Sequence, residues 1–458
     1  MKRYLISTAF LLAGMAGSLG QTTGEVPAAT GEVPAATREV SATAGEASGW
    51  SYADCVEYAR EHNISLRKSR LSEQTAEYNL EEAKAQWEPT LDFATTHGFT
   101  NAPWGRGDKN SYNSSYGLNA GWTIWNGGQR ENTIKQNRLR TEIDRLNTGD
   151  ILRTLETDLL QVYLNILYAK ESIAIYEEAV KLSAAQADRA RQLTEAGKLS
   201  RVDYAQLNSQ YEQDRYSLVN ARATYDTRRM ELKQLLELGI ESDITLRGVE
   251  WSDGQVLAQL PPLAESYALA RQTDLKLQGL ELEKSASELD VAIAKAGRLP
   301  KISLSAGVGT GYYAPGESFG TSMKQGWNES IGLTLALPIF DNRKTKTAVA
   351  RANVAKLDAQ LDIDKRETEL AQTVENWYID TRSAQSRFTA AQTQLESARL
   401  TDELTNERFN LGYVDAIELL TSHNAYIDAR HTLLQSKYMA MLGLKMIQFY
   451  REATITLP

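Results

Sequence analysis

The sequence predicts a mainly α-helical chain with a small β part, built as two tandem copies of one elongated unit. Three observations predict it: an internal duplication that spans most of the 458 residues, two helical stretches far longer than a globular domain needs, and four short segments of alternating apolar residues.

The duplication is found by laying residues 52–93 over 263–304 without a gap. Ala53/Ala264, Ala59-Arg60/Ala270-Arg271, Leu66/Leu277, Leu71/Leu282, Glu77/Glu288, Ala83-Lys84-Ala85/Ala294-Lys295-Ala296 and Pro89/Pro300 then coincide. Further along the offset grows to 215, aligning Trp125-Asn126 with Phe340-Asp341, Tyr163 with Tyr378, Gly197 with Gly412, Tyr211 with Tyr426 and Arg215 with Arg430. So long a period is not that of a solenoid; it marks two similar halves. The chain divides into a first repeat at 50–238, an inter-repeat linker at 239–262, a second repeat at 263–450 and a tail at 451–458.

Each half opens with a helix, 52–87 and 263–298, that stops at Glu88-Pro89 and Leu299-Pro300, because proline disfavours helical geometry in the residue before it. The period then changes from helical to alternating. Leu91, Phe93 and Thr95, then Tyr116, Leu118, Ala120, Trp122 and Ile124, define a hairpin at 90–125. Ile302, Leu304, Ala306 and Val308, then Ile331, Leu333, Leu335, Leu337 and Ile339, define a second at 301–340. The loops at 100–113 and 312–328 are rich in Gly, Pro, Asn and Ser.

Asn126 and Asp341 stand where helix N-caps belong. From there to Gly197, and from Arg343 to Gly412, only Gly149 interrupts the helical pattern. About 68 residues at about 1.5 Å each make a helix on the order of 100 Å long. The apolar positions Leu152, Leu155, Leu159, Val162, Ile166, Ala169, Ile173, Tyr176 and Val180 step by three and four, the spacing of a left-handed coiled coil. Leu370, Val374, Trp377, Thr381, Ala384, Phe388, Ala391, Leu395 and Ala398 repeat it. A third helix returns in each half, at 200–237 and 415–450.

The ends and the composition bound the function. Met1-Lys2-Arg3, the apolar run Leu5–Met15 and Ser18-Leu19-Gly20 read as a secretory signal peptide over 1–20. The TGEVPAA unit, present twice, makes 21–49 a low-complexity tether. No later apolar run reaches the roughly 18–20 residues of a transmembrane helix, which leaves a membrane β-barrel open. Acidic residues outnumber basic ones, 59 to 50, and no Lys/Arg stripe is present, so no nucleic-acid partner is expected. Cys55 alone excludes a disulfide framework and reads as a packed thiol. His62, His97, His423 and His431 form no ligand pattern, and Gly307, Gly309 and Gly311 lack the lysine of a phosphate loop, so no metal, cofactor or catalytic residue is expected.

Four strands per chain cannot close a membrane barrel, whose smallest closed form has about eight strands. Exposed edges are untenable in lipid, so chains should pool strands, and three chains would supply twelve. Trp104, Tyr112, Tyr116, Tyr312, Tyr313, Phe319 and Trp327 cluster near the strand ends, as an interfacial aromatic girdle would.

The signal peptide, the two halves, the order helix–Pro–strand, the strand-to-helix joins WNGG and LPIFDN, and the turns Ala196-Gly197-Lys-Leu-Ser-Arg-Val-Asp203 and Leu411-Gly412-Tyr-Val-Asp-Ala-Ile-Glu418 together resemble the TolC family of outer-membrane efflux proteins over 50 to about 450. The resemblance implies a homotrimer in the outer membrane of a Gram-negative bacterium, its 12-stranded barrel embedded in lipid and continued by a long periplasmic α-barrel. It implies a passive exit duct for efflux or type I secretion, joined through a periplasmic adaptor to an inner-membrane RND, ABC or MFS transporter. A secreted trimeric coiled-coil scaffold or adhesin, and the periplasmic adaptor itself, stand as alternatives.

Ser200 with Asp203, and Asp415 with Glu418, fit capping boxes at the two turns. Capping alone explains them; the resemblance adds a second role, placing Gly197, Ser200, Asp203, Gly412 and Asp415 at the adaptor-docking tip and Phe409, Glu418 and Thr421 at the pore gate. Thr421 departs from a second acidic ring. Family members link their closed coils through a tyrosine and an arginine, and Phe409 and Val414 at the matching positions form no such polar link.

Overall fold

The computed structural model describes residues 49–101, 103–104, 110–312 and 318–457. The signal peptide, the tether up to residue 48 and Tyr313 lie outside them. In chain order the elements are α1 (Tyr52–His62), α2 (Ile64–Ala85), β1 (Thr90–Asn101), β2 (Asn110–Trp125), α3 (Gln129–Glu195), α4 (Arg201–Leu235), α5 (Asp253–Val256), α6 (Leu263–Thr273), α7 (Leu275–Ala296), β3 (Lys301–Tyr312), α8 (Phe319–Gln325), β4 (Asn328–Ala336), α9 (Lys344–Asn410) and α10 (Ala416–Glu452).

The leading helix of each half, expected to be continuous, is broken once. Asn63 and Asp274 take extended backbone angles, and each side chain accepts the N–H three residues on, Leu66 at 3.1 Å and Leu277 at 2.6 Å. An Asx side chain that caps competes with continuing the helix, and here it wins twice at equivalent positions. The N-caps also differ from expectation: Gly128 and Arg343 occupy them in left-handed conformation. Asn126 and Asp341 still supply the chemistry from two residues upstream, accepting from the N–H of Arg130 at 3.2 Å and of Thr345 at 2.8 Å. Gly149 leaves α3 unbroken, so α3 and α9 each run for 67 residues.

The four strands form one antiparallel sheet in the order β1-β2-β3-β4, the two hairpins joined through β2 and β3. The sheet's register sorts most of its side chains by polarity. One face carries Leu91, Phe93, Leu118, Trp122, Leu304 and Leu333, and the other carries Gly, Ser, Thr and Asn at almost every position. The apolar face is bare: Phe93 is 68% exposed, Ile331 80% and Leu333 69%. At 9–16 residues the strands have the length that crosses a bilayer at a tilt. Among the described residues no helix is long and apolar enough to do so. β4 ends at Ala336 rather than Ile339, because Pro338 has no N–H to give the ladder. Part of the loop before it forms the short α8 instead of coil.

Each strand runs on into a helix, α2 before β1, α3 after β2, α7 before β3 and α9 after β4. The helices keep the strand order, since α2 packs on α3, α3 on α7 and α7 on α9. Beyond this layer α3 pairs with the returning α4, and α9 with α10. Small residues allow close approach here: a Cβ added at Gly443 of α10 would overlap the Thr381 hydroxyl of α9.

The core is a belt around mid-length. Leu159, Tyr163 and Ile166 of α3, Leu232 of α4 and Met441 of α10 meet Ile244, Leu246, Trp251 and Val256 from 239–262. The stretch between the repeats is thus packed against both, and Trp50 pairs with Leu246. Tyr163 donates to the Arg247 carbonyl at 2.6 Å. Cys55 is fully buried in this belt, and burial pushes its thiol up to about 12.

At the join of sheet and helices Arg130 is 3% exposed and stacks over Trp87 at 3.4 Å. It donates to the carbonyls of Gln86 at 3.0 Å, Thr123 at 2.7 Å and Ile124 at 3.2 Å, tying α2, β2 and α3 together. Arg130→Ala should therefore cost about 2–4 kcal/mol, since three carbonyls lose a charged donor at once. The check is a lower thermal midpoint in detergent with faster amide exchange confined to residues 86–90 and 121–126.

Candidate functional site

The end of the molecule opposite the sheet consists of two helical turns built to one plan. α3 ends in the C-cap Ala196, and Gly197 follows at φ +68°; α9 ends in the C-cap Leu411, and Gly412 follows at φ +79°. Gly197 N–H reaches the Thr194 carbonyl at 3.0 Å and Lys198 N–H the Leu193 carbonyl at 2.8 Å. Gly412 and Tyr413 repeat this with Phe409 at 3.0 Å and Arg408 at 2.9 Å. This paired pattern satisfies the last carbonyls of each helix and requires a left-handed residue. Open space surrounds both glycines, so the backbone angle alone selects them.

Three residues later the next helix is capped. Ser200 Oγ accepts from the Asp203 N–H at 3.1 Å, and Asp415 Oδ1 from the Glu418 N–H at 2.9 Å. The acidic residue of each pair sits in the positive first turn of α4 or α10.

The gate candidates separate. Glu418 is exposed but not free, because its carboxylate pairs with Arg408 at 3.0 Å across the turn. Thr421 is exposed on the next turn, its hydroxyl donating to the Ile417 carbonyl at 2.8 Å. Phe409 of α9 is 8% exposed and packs with Ala190 of α3, Leu207 of α4, and Ala416 and Leu419 of α10. Within this chain the Phe409 ring packs the coils together, a burial contributing about 2–3 kcal/mol. Val414 borders the same cluster. Leu411, Tyr413, Ile417 and Val202, by contrast, are exposed apolar side chains on the turns.

One feature of the tip escapes a reading of the sequence. His423 of α10, expected to be packed or solvated, is buried between Asp214 of α4 and Asp402 of α9. Burial raises the Asp402 carboxyl above the usual carboxylate range. It acts in the same sense on Asp214, but the Gln210 hydrogen bond and the nearby His423 and Ser183 outweigh it and hold that group below the range. Helix phase in three segments up to 209 residues apart decides this meeting. Among the described residues no group of three or more His, Cys, Asp or Glu is arranged to hold a metal ion.

Comparison with known proteins bears on this arrangement. The family described as outer membrane efflux protein matches residues 55–237 and 266–441. The alkaline protease secretion protein AprF of Pseudomonas aeruginosa is 23% identical over 305 residues, 64% of this chain and 60% of its own length. The outer membrane efflux protein BepC of Brucella suis is 20% identical over 411 residues, 86% of this chain and 83% of its own. Among solved structures, that of CusC, described as forming a transmembrane channel, superposes with a TM-score of 0.75 at 18% identity, covering 86% of this chain and 90% of that one.

The cap at Asp415 allows its structural part to be separated from any other. Asp415→Ala should lose about 1 kcal/mol of local stability at the start of α10, whereas Asp415→Asn, an equally good cap, should change it by only a few tenths. Amide exchange of residues 416–419 measures both.

Proposed function

Because the chain belongs to the outer membrane efflux protein family, we propose that it is the passive exit duct of a tripartite export system, closed as a homotrimer and opened at its helical tip by a docking partner. Its place is the Gram-negative outer membrane. Membership removes the two alternatives, a secreted adhesin and a periplasmic adaptor.

The observation that carries the proposal is the pair of open edges. β1 and β4 border the sheet, and beneath them α2 and α9 border the helical layer in the same order. Leu71 and Tyr78 of α2, and Val354, Leu357 and Leu361 of α9, are exposed along those borders. Joining β1 of one copy to β4 of the next covers both borders at once. Three copies give twelve strands, with the apolar face toward lipid and the Gly/Ser/Thr/Asn face lining a wet lumen.

The tip supports the docking half of the proposal. Leu411, Tyr413, Ile417 and Val202 form an exposed apolar cap around the capped turns, suited to a periplasmic adaptor that links the duct to an inner-membrane RND, ABC or MFS transporter. Relatives named for efflux and for protease secretion are compatible with either cargo. Glu418 and Thr421 are the gate candidates that remain exposed, and three copies would bring the Glu418 carboxylates, each shared with Arg408, around one axis.

Two measurements check this reading. Native mass spectrometry of detergent-extracted outer membranes should give a trimer of the mature chain; a monomer stable after extraction would contradict it. In planar bilayers Glu418→Gln should raise the multivalent-cation concentration needed to block the pore about threefold or more, since one carboxylate per subunit is removed from a shared ring. An unchanged block would take Glu418 out of the constriction.

A further inference from the structure

The α3–α4 and α9–α10 coils are joined near the tip by side chains of several kinds. Gln210 and Asn424 exchange amide hydrogen bonds at 3.1 and 3.3 Å, Gln186 donates to Asn406 at 3.5 Å, and Arg430 pairs with Glu178. Each of these is a direct hydrogen bond or ion pair. His423 does not belong with them. It lies eight residues into α10 from its cap, roughly 12 Å along the axis.

The His423 side chain is 1% exposed, with Nε2 3.9 Å from Asp214 Oδ2 and Nδ1 4.0 Å from Asp402 Oδ1. Neither ring nitrogen has a hydrogen-bond partner, nor has Asp214 Oδ2. Gln210 donates to Asp214 Oδ1 at 2.8 Å, and Ser422 donates to Asp402 Oδ1 at 3.4 Å. Among the described residues neither carboxylate has an Arg or Lys within ion-pair distance. A neutral imidazole offers one N–H and one lone pair, so between two carboxylates it must turn its lone pair toward one of them. An imidazolium offers an N–H to each. The site is thus complete only when His423 carries a proton.

Its two partners lie on different coils. Asp402 is on α9, which pairs with His423's own helix, whereas Asp214 is on α4 of the other coil. We propose that His423 is a proton-operated clasp: charged, it holds the α9–α10 coil to Asp214 of the α3–α4 coil, and on losing its proton it lets the two coils separate. The proposal rests on the reading of this tip as the gate and names what regulates it.

The groups facing His423 set the sign. They are Asp214 on α4, and Asp402 on α9 with Glu403 beside it. Both carboxylates favour the imidazolium in the clasped state. The clasp therefore holds in acid, while His423 is charged, and is lost as rising pH removes that proton. Its lower limit is the raised titration of Asp402, below which one carboxylate is neutral. By linkage, a partner that pries the coils apart releases a proton.

The test uses the full chain in planar lipid bilayers. Mean conductance should rise at least about threefold from roughly pH 5.5 to about 7.5, a range above most carboxylate titrations. His423→Asn and Asp214→Asn should flatten that rise, whereas His431→Asn, whose imidazole lies tilted against Tyr176 at 4.4 Å, should keep it. A flat wild-type profile, or an unchanged one in His423→Asn, would overturn the clasp while leaving the duct intact. Absence of any conductance would instead strike the duct reading. Ring-nitrogen NMR of His423 then judges the clasp independently: Asp214→Asn should lower its titration, and no change would overturn it.

Discussion

Two unpaired strand edges govern the rest of this molecule. A backbone N–H or carbonyl facing hydrocarbon without a partner costs several kcal/mol, so a sheet with an exposed apolar face and bare edges has no resting place in lipid as a single chain. The edges at β1 and β4 demand partners, and the strands pass that demand down to the helices they run into. Because the order α2-α3-α7-α9 copies the order of the strands, satisfying the sheet edges also covers the apolar residues left bare on α2 and α9. Arg130 makes the coupling rigid at the join, where one guanidinium serves carbonyls from α2 and β2 while sitting on α3.

A chain of this length with so little core per unit of surface needs its packing concentrated. The belt around Tyr163, Trp251 and Val256 does this, fastening both halves with the stretch that joins them. Away from it the coils are held by narrow contacts, small residues, and polar pairs at intervals. The tip follows the same economy in another form: two identical turn geometries, one apolar cluster around Phe409, and a buried histidine between two carboxylates. The belt is continuous and apolar, whereas the tip carries buried titratable contacts.

Much of this was legible in the residues. A period of 3.5 sustained over dozens of positions admits one reading, and so does strict alternation beside prolines. The duplication doubled each signal, and the turns at Gly197 and Gly412 follow from glycine and cap spacing alone. Local competition was less visible. Asn63 and Asp274 are tolerable inside a helix, and only the turn of the chain between belt and upper helices makes them caps. Pro338 shortened β4 by its missing N–H, although the alternation ran on past it. Phe409 and His423 were beyond reach for a different reason. Their surroundings depend on which faces four helices present to one another, and a one-residue change of phase would have sent either side chain to solvent.

The central claim is that the edges of the sheet are closed by neighbouring copies, and amide exchange of the purified protein in detergent or nanodiscs reads it most directly. The account predicts that edge-facing amides of β1 and β4 are protected as strongly as those of β2 and β3. Rapid exchange confined to the outer edges, with β2 and β3 protected, would contradict it.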